Sequence, residues 1–374
     1  MDDKFNLYDV YEQNLNFLLG AGASSGFLPT LELKIKDANG EAYTLESLAH
    51  DLEEKGEEDL KTLLFMYYYR ECIKPGLPHS SPASFPPHRQ GVLDQYQIFL
   101  STVVKVLNRQ ATNKKANIYT TNYDSCLELS CDALLSDKSL KFVANDGGDG
   151  FQKKRFHTKN YNNRIVQKGI FDKHEECLPQ VNLLHPHGSV YWNKEEDDIN
   201  LNYHQSPYDF IFTDTQNLLI DSLMGIITNV ESTFEILYPL KAFGDWAGLA
   251  GEDFWSVYKT IPIVNPTKWK FHETVFEEAY YQILRHLSFE LERPNSILVT
   301  FGFSFADEHI LRLVERSLSN PTLTVYICCF NENVKVEMQD KFKGYKNVKY
   351  ITSDNDLKFT EFNKTICSLE KDDA

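Results

Sequence analysis

Two short stretches bring together residue types that could do chemistry. In "YTTNYDSC" (residues 119–126) an apolar, β-branched run stops at an amide, Asn122, with a carboxylate, Asp124, two residues on. In "LLHPHGS" (residues 183–189) a second apolar run stops at two imidazoles, His185 and His187. An amide cannot take a proton, but its two donors and one acceptor can hold a water or a ribose hydroxyl. An imidazole can act as a general base near neutral pH. His187 is the better candidate of the two, because Gly188 beside it would let a substrate approach the ring. Asp124 reads equally as the cap of a helix starting just after it. His185, His187 and a carboxylate could in principle ligate a metal, but they lack the helical i, i+4 spacing, so no metal is expected.

A third stretch, "LLGAGASSG" (residues 18–26), reads as a strand, a tight glycine turn and the start of a helix. Gly20 and Gly22 would let the backbone approach a phosphate, with free N–H groups and the helix dipole favouring the anion. The third glycine is displaced from the usual dinucleotide fingerprint, yet the turn follows the first strand, and dinucleotide binding is the expectation. In "GFSFADEH" (residues 302–309), Ser304 and Asp307 read either as site residues or as helix caps.

The elements that must position these residues are short, continuous apolar runs. They cover residues 14–20, 117–121, 180–184, 261–264, 296–302, 322–330 and 347–351. Continuous runs fit strands covered on both faces. Helical spacing separates many of them, over residues 94–110, 124–135, 272–292 and 307–319. The alternation predicts an α/β fold, a Rossmann-like, doubly wound, mostly parallel sheet. Ligands of such sheets sit outside the carboxyl ends of the strands, where all of the polar motifs fall. One domain over residues 1–374 is expected, with its core in residues 12–30, 92–190 and 260–352. Residues 31–91 (helices, then a Pro- and Ser-rich loop over 73–91) and 191–259 (an acidic loop with helical pieces) are read as insertions that roof the sheet.

The chain has 38 Lys and Arg against 54 Asp and Glu, a formal net charge of −16, which argues against a general nucleic-acid-binding surface. The exception is "FQKKRFHTKNYNNRIVQK" (residues 151–168), basic with interleaved aromatics. It is read first as a solvated loop and second as a contact for a phosphate-bearing ligand or acidic partner. No run is long enough to span a bilayer, and the acidic start lacks a signal-peptide core, so a cytoplasmic location is expected. Seven cysteines without a C-x-x-C pair predict reduced, buried thiols and no zinc module.

Taken in order, "GAGAS", "TTNYD", "HPHG", "IPIVNP", "TFGFSFADEHI" and "VYICCFN" resemble the motif series of the sirtuin-like family, as islands between Asn14 and Asn331. The four zinc-binding cysteines of sirtuin deacylases are missing, and "GFLPTL" stands in place of their P-D-F-R stretch. The chain is more similar to bacterial sirtuin-like proteins of anti-phage defence that hydrolyse NAD, above all to the subunit encoded with a HerA-type ATPase. That resemblance implies an NAD+ glycohydrolase that depletes cellular NAD, with NAD as substrate. It assigns Asn122 to the attacking water or nicotinamide ribose, His187 to the base, and Asp124 to the nicotinamide end. Gly20, Ala21, Gly22, Ala23 and Ser24 would cradle the pyrophosphate. Gly302, Phe303 and Ser304 would lie by a phosphate or the adenosine ribose, and Asn331 by the adenosine. It further implies a HerA-type ATPase partner, a homo-oligomer and control by assembly. The alternatives are an NAD-dependent deacylase, and a non-catalytic NAD- or ADP-ribose-sensing scaffold subunit. DNA cleavage by a complex has only the basic stretch 151–168 behind it.

Overall fold

The computed structural model describes residues 7–367 except residues 11, 30–31, 78–84, 112, 139, 169–174, 197, 244–248 and 265–273. Residues 1–6 of the acidic start, the whole "NPTKWKF" stretch and the tail after residue 367 therefore lie outside the described residues. At the centre is a seven-stranded parallel sheet. In chain order its strands are β1 (Asn14–Leu19), β2 (Lys115–Thr120), β3 (Val143–Asn145), β4 (Gln180–Leu184), β5 (Ser296–Phe301), β6 (Thr324–Cys328) and β7 (Val348–Ile351). They lie side by side as β7-β6-β5-β1-β2-β4-β3. The order reverses between β1 and β5, which is the switch point of a doubly wound sheet.

Ten α-helices accompany the sheet among the described residues: α1 (Leu45–Glu54), α2 (Glu58–Tyr68), α3 (Pro87–Arg109), α4 (Cys126–Asp137), α5 (Asp214–Ile227), α6 (Leu249–Tyr258), α7 (Thr274–Glu292), α8 (Glu308–Ser317), α9 (Glu332–Lys341) and α10 (Phe359–Thr365). Alternation along β1 sends Leu15, Phe17 and Leu19 into a core with α3, α4 and α10. Leu18 enters a second core with α7, α8 and α9 on the other face. Each fully buried Leu or Phe contributes about 1.5–3 kcal/mol, so both faces must stay covered for the sheet to hold.

A ladder of amides pins the register. Asn117 donates to Asn16 Oδ1, Asn182 to Asn117 Oδ1 and Gln180 to Asn182 Oδ1, each at 2.8 Å. Asn16, Asn117 and Asn182 are direct register partners across β1, β2 and β4, and all are buried. A slip of one residue would orphan every amide in this low-dielectric interior.

The six expected strands at residues 14–20, 117–121, 180–184, 296–302, 322–330 and 347–351 are all in the sheet, within one or two residues at most of their ends. Residues 261–264 are not. Pro262 has no N–H to give a ladder, and the segment crosses over the strand ends, touching the chain by a single antiparallel bridge from Ile263 to Gly188. The short edge strand β3 was not expected. The long helix α3 begins at Pro87, inside the stretch read as a loop, because proline suits the first helical position.

The two insertions are one body in packing terms: α1 and α2 share a core with α5, α6 and the 3₁₀ segment Phe234–Phe243, through Leu48, Leu63, Tyr68, Ile220 and Phe254. The basic stretch is also more ordered than a solvated loop. Lys154–Phe156 joins Gly148–Asp149 and the hairpin Trp192–Glu195 with Asp198–Leu201 in a four-stranded antiparallel sheet. Lys153 pairs with Glu195, Lys154 with Asp146, Arg155 with Asp198 and Lys168 with Glu175. Four of its six lysines and arginines thus face carboxylates of the same chain, and Arg164 donates to Asn113 Oδ1. All seven cysteines are free, and all but Cys177 are buried. No helix of the described residues is long and apolar enough to cross a membrane.

Candidate active site

A cavity of about 670 Å³ opens at the carboxyl ends of the strands. Its wall combines Asn122 and Asp124 beyond β2, His187 beyond β4, Gly302, Phe303, Ser304, Ala306 and Asp307 beyond β5, and Ala21 and Ser24 beyond β1. The roof comes from the helical insertion, through Thr44, Glu46, Tyr68 and Cys72. Thr44 is fixed there as the N-cap of α1, in a capping box with Ser47. The amide and the imidazole, 65 residues apart in the numbering, thus share one cavity.

His187 is held on two sides. Its Nε2 lies 2.9 Å from Asp307 Oδ2, a contact between residues 120 apart. Asp307 also caps α8, its Oδ1 accepting from the His309 and Ile310 N–H groups at 2.9 and 3.2 Å. The cap reading of Asp307 was therefore correct but incomplete: one oxygen starts the helix and the other orients the ring. The signal in the sequence was an Asp at a helix start. Nothing local to it pointed to a histidine on another strand. On the other side, the His187 carbonyl accepts from Val264 N–H at 2.8 Å, and the Val264 carbonyl accepts from the Tyr123 hydroxyl at 2.5 Å. Residues 261–264 therefore act as a strap that ties the end of β2 to the end of β4.

The strap also explains Gly188, and not as expected. Its φ is +83°, and a Cβ there would sit 2.0 Å from the Pro262 carbonyl oxygen and 2.7 Å from the Tyr280 hydroxyl. The space left by the missing side chain is filled by the chain's own backbone rather than by a substrate.

The glycine turn needs the same correction. A Cβ on Gly20 would lie 2.5 Å from the Gly302 oxygen, and one on Gly22 would lie 2.7 Å from the Gly302 Cα. Gly20 N–H donates to Phe301 O, Gly22 N–H to Gly302 O and Ala23 N–H to Gly20 O. The turn then makes one 3₁₀ turn, Ala21–Ser24, instead of an α-helix. Its glycines let two loops of the chain touch across the switch point, where two of its N–H groups are used, and a third closes the turn itself. Ala21 and Ser24 reach the cavity, whereas Gly20, Gly22 and Ala23 serve the loop–loop contact.

Asn122 is buried, and its Nδ2 donates to Gly20 O and to Ser24 Oγ, both at 3.0 Å. Ser24 Oγ in turn lies 2.9 Å from the buried Tyr96 hydroxyl. The amide donors expected for a ribose or water thus hold the glycine turn, and Oδ1 is the group Asn122 can offer a ligand. Asp124 is 4 % exposed; its Oδ1 accepts from Cys126 N–H at 3.0 Å, whereas Oδ2 has no hydrogen-bond partner among the described residues. Burial pushes its carboxyl above the ordinary value, against the opposing pull of the Ser24 hydroxyl and the Cys126 N–H. A buried, half-satisfied carboxyl on a cavity wall is an unfinished hydrogen-bond site.

His185 is a different case. It is buried and its Nε2 lies 2.7 Å from Glu128 Oε1 on α4. Burial pushes the ring down, but the Glu128 charge, the bond to it and nearby Asp124 outweigh that, and the ring sits above its ordinary value. Asn331 caps α9 by accepting from Val334 N–H at 3.1 Å and is not part of the cavity wall. Phe303 and Ser304 are on the wall, with the Ser304 carbonyl accepting from Lys341 Nζ at 2.9 Å.

The ionisable wall residues are Glu46, Asp124, Asp307, Glu337 and His187, with Tyr68, Tyr123 and Cys72 beside them; no Lys or Arg is among them. Among the described residues, no three His, Cys, Asp or Glu side chains are placed to hold a metal ion. No protein-family model matches the chain, and no curated protein matches its sequence.

Proposed function

We propose that the chain is an NAD+ glycohydrolase that cleaves the nicotinamide–ribose bond. The observation that carries this reading is the convergence of Asn122, Asp124 and the His187–Asp307 pair on one cavity at the strand ends, where a doubly wound sheet takes its ligand. The volume fits the range of about 300–1,000 Å³ typical of small-molecule sites. The acidic wall favours the cationic nicotinamide ring of NAD+, and the favourable charge is largest where water is excluded.

In the reaction, a water oxygen bonds to C1′ of the ribose as the C1′–nitrogen bond breaks. The bonding electron pair leaves on the nicotinamide nitrogen, which becomes neutral. With Nε2 donating to Asp307, His187 Nδ1 carries the lone pair that accepts the water proton. Asp307 holds the ring's orientation and steadies its charge as it protonates. Asn122 Oδ1 accepts from the water or a ribose hydroxyl, and the open Asp124 Oδ2 receives the nicotinamide carboxamide. The products are nicotinamide, ADP-ribose and a proton.

The resemblance supplies the biological setting: depletion of NAD in anti-phage defence, within an oligomer and beside a HerA-type ATPase. The test is nicotinamide release by the purified chain, alone and with that ATPase, for the wild type, Asn122→Ala and His187→Ala. Release that disappears in both variants supports the reading. NAD+ binding with no release under either condition replaces it with the sensing scaffold, which the internal use of both Asn122 donors favours. Absence of both binding and release would leave neither standing.

A further inference from the structure

Another cavity, of about 430 Å³, lies between the loop after the glycine turn, the helical insertion and the start of α3. It touches the first cavity along a common wall, Leu28 and Pro29. Its charge is the reverse. Lys34, His88 and Arg89 line it, and no Asp or Glu does, in a chain with 54 acidic residues. Such a concentration of cations, unanswered by carboxylates, must be set by something other than the average surface.

Among the described residues, no carboxylate answers these cations. Neighbouring cations of the helical insertion are paired with carboxylates, Arg70 with Asp221 and Lys74 with Asp209. Among the described residues neither Lys34 nor Arg89 has such a partner. The Arg89 Nε is buried and has no hydrogen-bond partner there. A guanidinium N–H left without an acceptor costs on the order of 1–3 kcal/mol, so the half-buried Arg89 keeps hydrogen-bonding capacity that no described residue uses. Arg89 is also held in place, its guanidinium 5.6 Å from the centre of the Phe27 ring. A fixed planar fork suits the oxygens of a phosphate. The first turn of α3 at the cavity's edge carries no acidic residue, so no side chain there opposes the positive charge.

We propose that this basic cavity binds the phosphate of a small phosphorylated molecule, with Arg89 as its fork and Lys34 as its second charge. The assignment stands whether or not the first cavity hydrolyses NAD+. The phosphate has two sources open to it: the anionic part of a molecule whose cationic end lies in the acidic cavity, across Leu28 and Pro29, or a separate phosphorylated effector.

The experiment is calorimetric titration of the full chain with inorganic pyrophosphate, with ADP-ribose, and with each in the presence of the other. Pyrophosphate binding to the wild type is expected to weaken about tenfold or more in Arg89→Ala and in Lys34→Ala, because each removes a charge-assisted contact. Lys34 is exposed, so its variant keeps the fold even if loss of the Arg89–Phe27 contact disturbs it. Asp307→Asn, in the other cavity, should leave pyrophosphate binding unchanged. Competition between the two ligands, with both weakened by Lys34→Ala and ADP-ribose alone weakened further by Asp307→Asn, identifies one molecule spanning both cavities. Simultaneous binding, with only pyrophosphate weakened, identifies a separate effector. No pyrophosphate binding by the wild type, or binding equal in the wild type and both basic-cavity variants, overturns the proposal.

Discussion

Two imidazole–carboxylate pairs stand two residues apart in "HPH", and they do different work. His185 meets Glu128 at 2.7 Å and His187 meets Asp307 at 2.9 Å, so their hydrogen bonds are alike. Placement separates them. His185 points into the protein beside α4, is 4 % exposed, and is absent from the cavity wall. His187 stands on the wall, one ring edge anchored by a helix cap and its backbone strapped by Val264. The comparison teaches that a paired histidine becomes a candidate catalyst only where its second nitrogen can meet a ligand. Where it cannot, the same pair becomes a wedge between a strand end and a helix.

The largest expected effect that separates the pairs is on rate. Loss of the His187 ring in His187→Ala should slow nicotinamide release by about 10²–10⁴-fold, the usual worth of a positioned general base. The unfolding midpoint should fall less than in His185→Ala, because Asp307 lines the cavity and keeps its bonds to the α8 N–H groups. Equal loss of rate in His185→Ala at equal folded fraction would erase the distinction between the two pairs.

Next in size is the stability cost of breaking the wedge. His185→Ala leaves the Glu128 carboxylate in the interior without its partner and should cost about 3–5 kcal/mol in denaturant unfolding. A cost near that of a surface substitution would mean the pair contributes nothing to the fold.

Asp307 sharpens the comparison because its two oxygens have separate duties. Asp307→Asn keeps a good N-cap but removes the charge facing His187, so release should fall about tenfold to a hundredfold with little change in stability. Asp307→Ala should add a loss of about 1 kcal/mol from the missing cap. Two variants with the same stability and the same rate would show that the cap alone matters.

The smallest effect is the pH dependence of stability. The fold holds the His185 ring above its ordinary 6.5, so the protonated form is the one stabilised. Its contribution is complete below pH 6.5 and is lost as pH rises through the folded value, because the folded state there binds more protons than the unfolded chain. The thermal midpoint of the wild type should therefore fall over that window, and Glu128→Gln should flatten the slope. Parallel slopes would assign the pH response to another group.

Much of the scaffold was legible because its signals are local. Residues 180–184 announce a buried strand by their unbroken apolar run, and residues 307–319 a helix by their spacing and their Asp cap. The glycine turn was legible as a turn, but its reason was not: Gly20 and Gly22 meet Gly302, some 280 residues away, and no local pattern records that approach. Gly188 was tied to a substrate when it is tied to Pro262. Residues 261–264 look like a strand because apolar β-branched residues look alike in a sheet and in a strap across its edge. The basic cavity left no mark at all, since Lys34, His88 and Arg89 are ordinary residues in three unrelated contexts until the fold gathers them.

The amino-acid sequence by itself determined which segments are strands and helices, that the sheet is parallel and covered on both faces, and that its polar residues gather at one rim. Periodicity and chain chirality are properties of neighbours along the chain, and they suffice for that. Only the tertiary structure decided that Asp307 orients His187, that the glycines serve a contact between loops, and that cavities of opposite charge share a wall. Those facts depend on hydrogen bonds and close approaches between residues tens to hundreds of positions apart, and such contacts exist only once the chain has closed on itself.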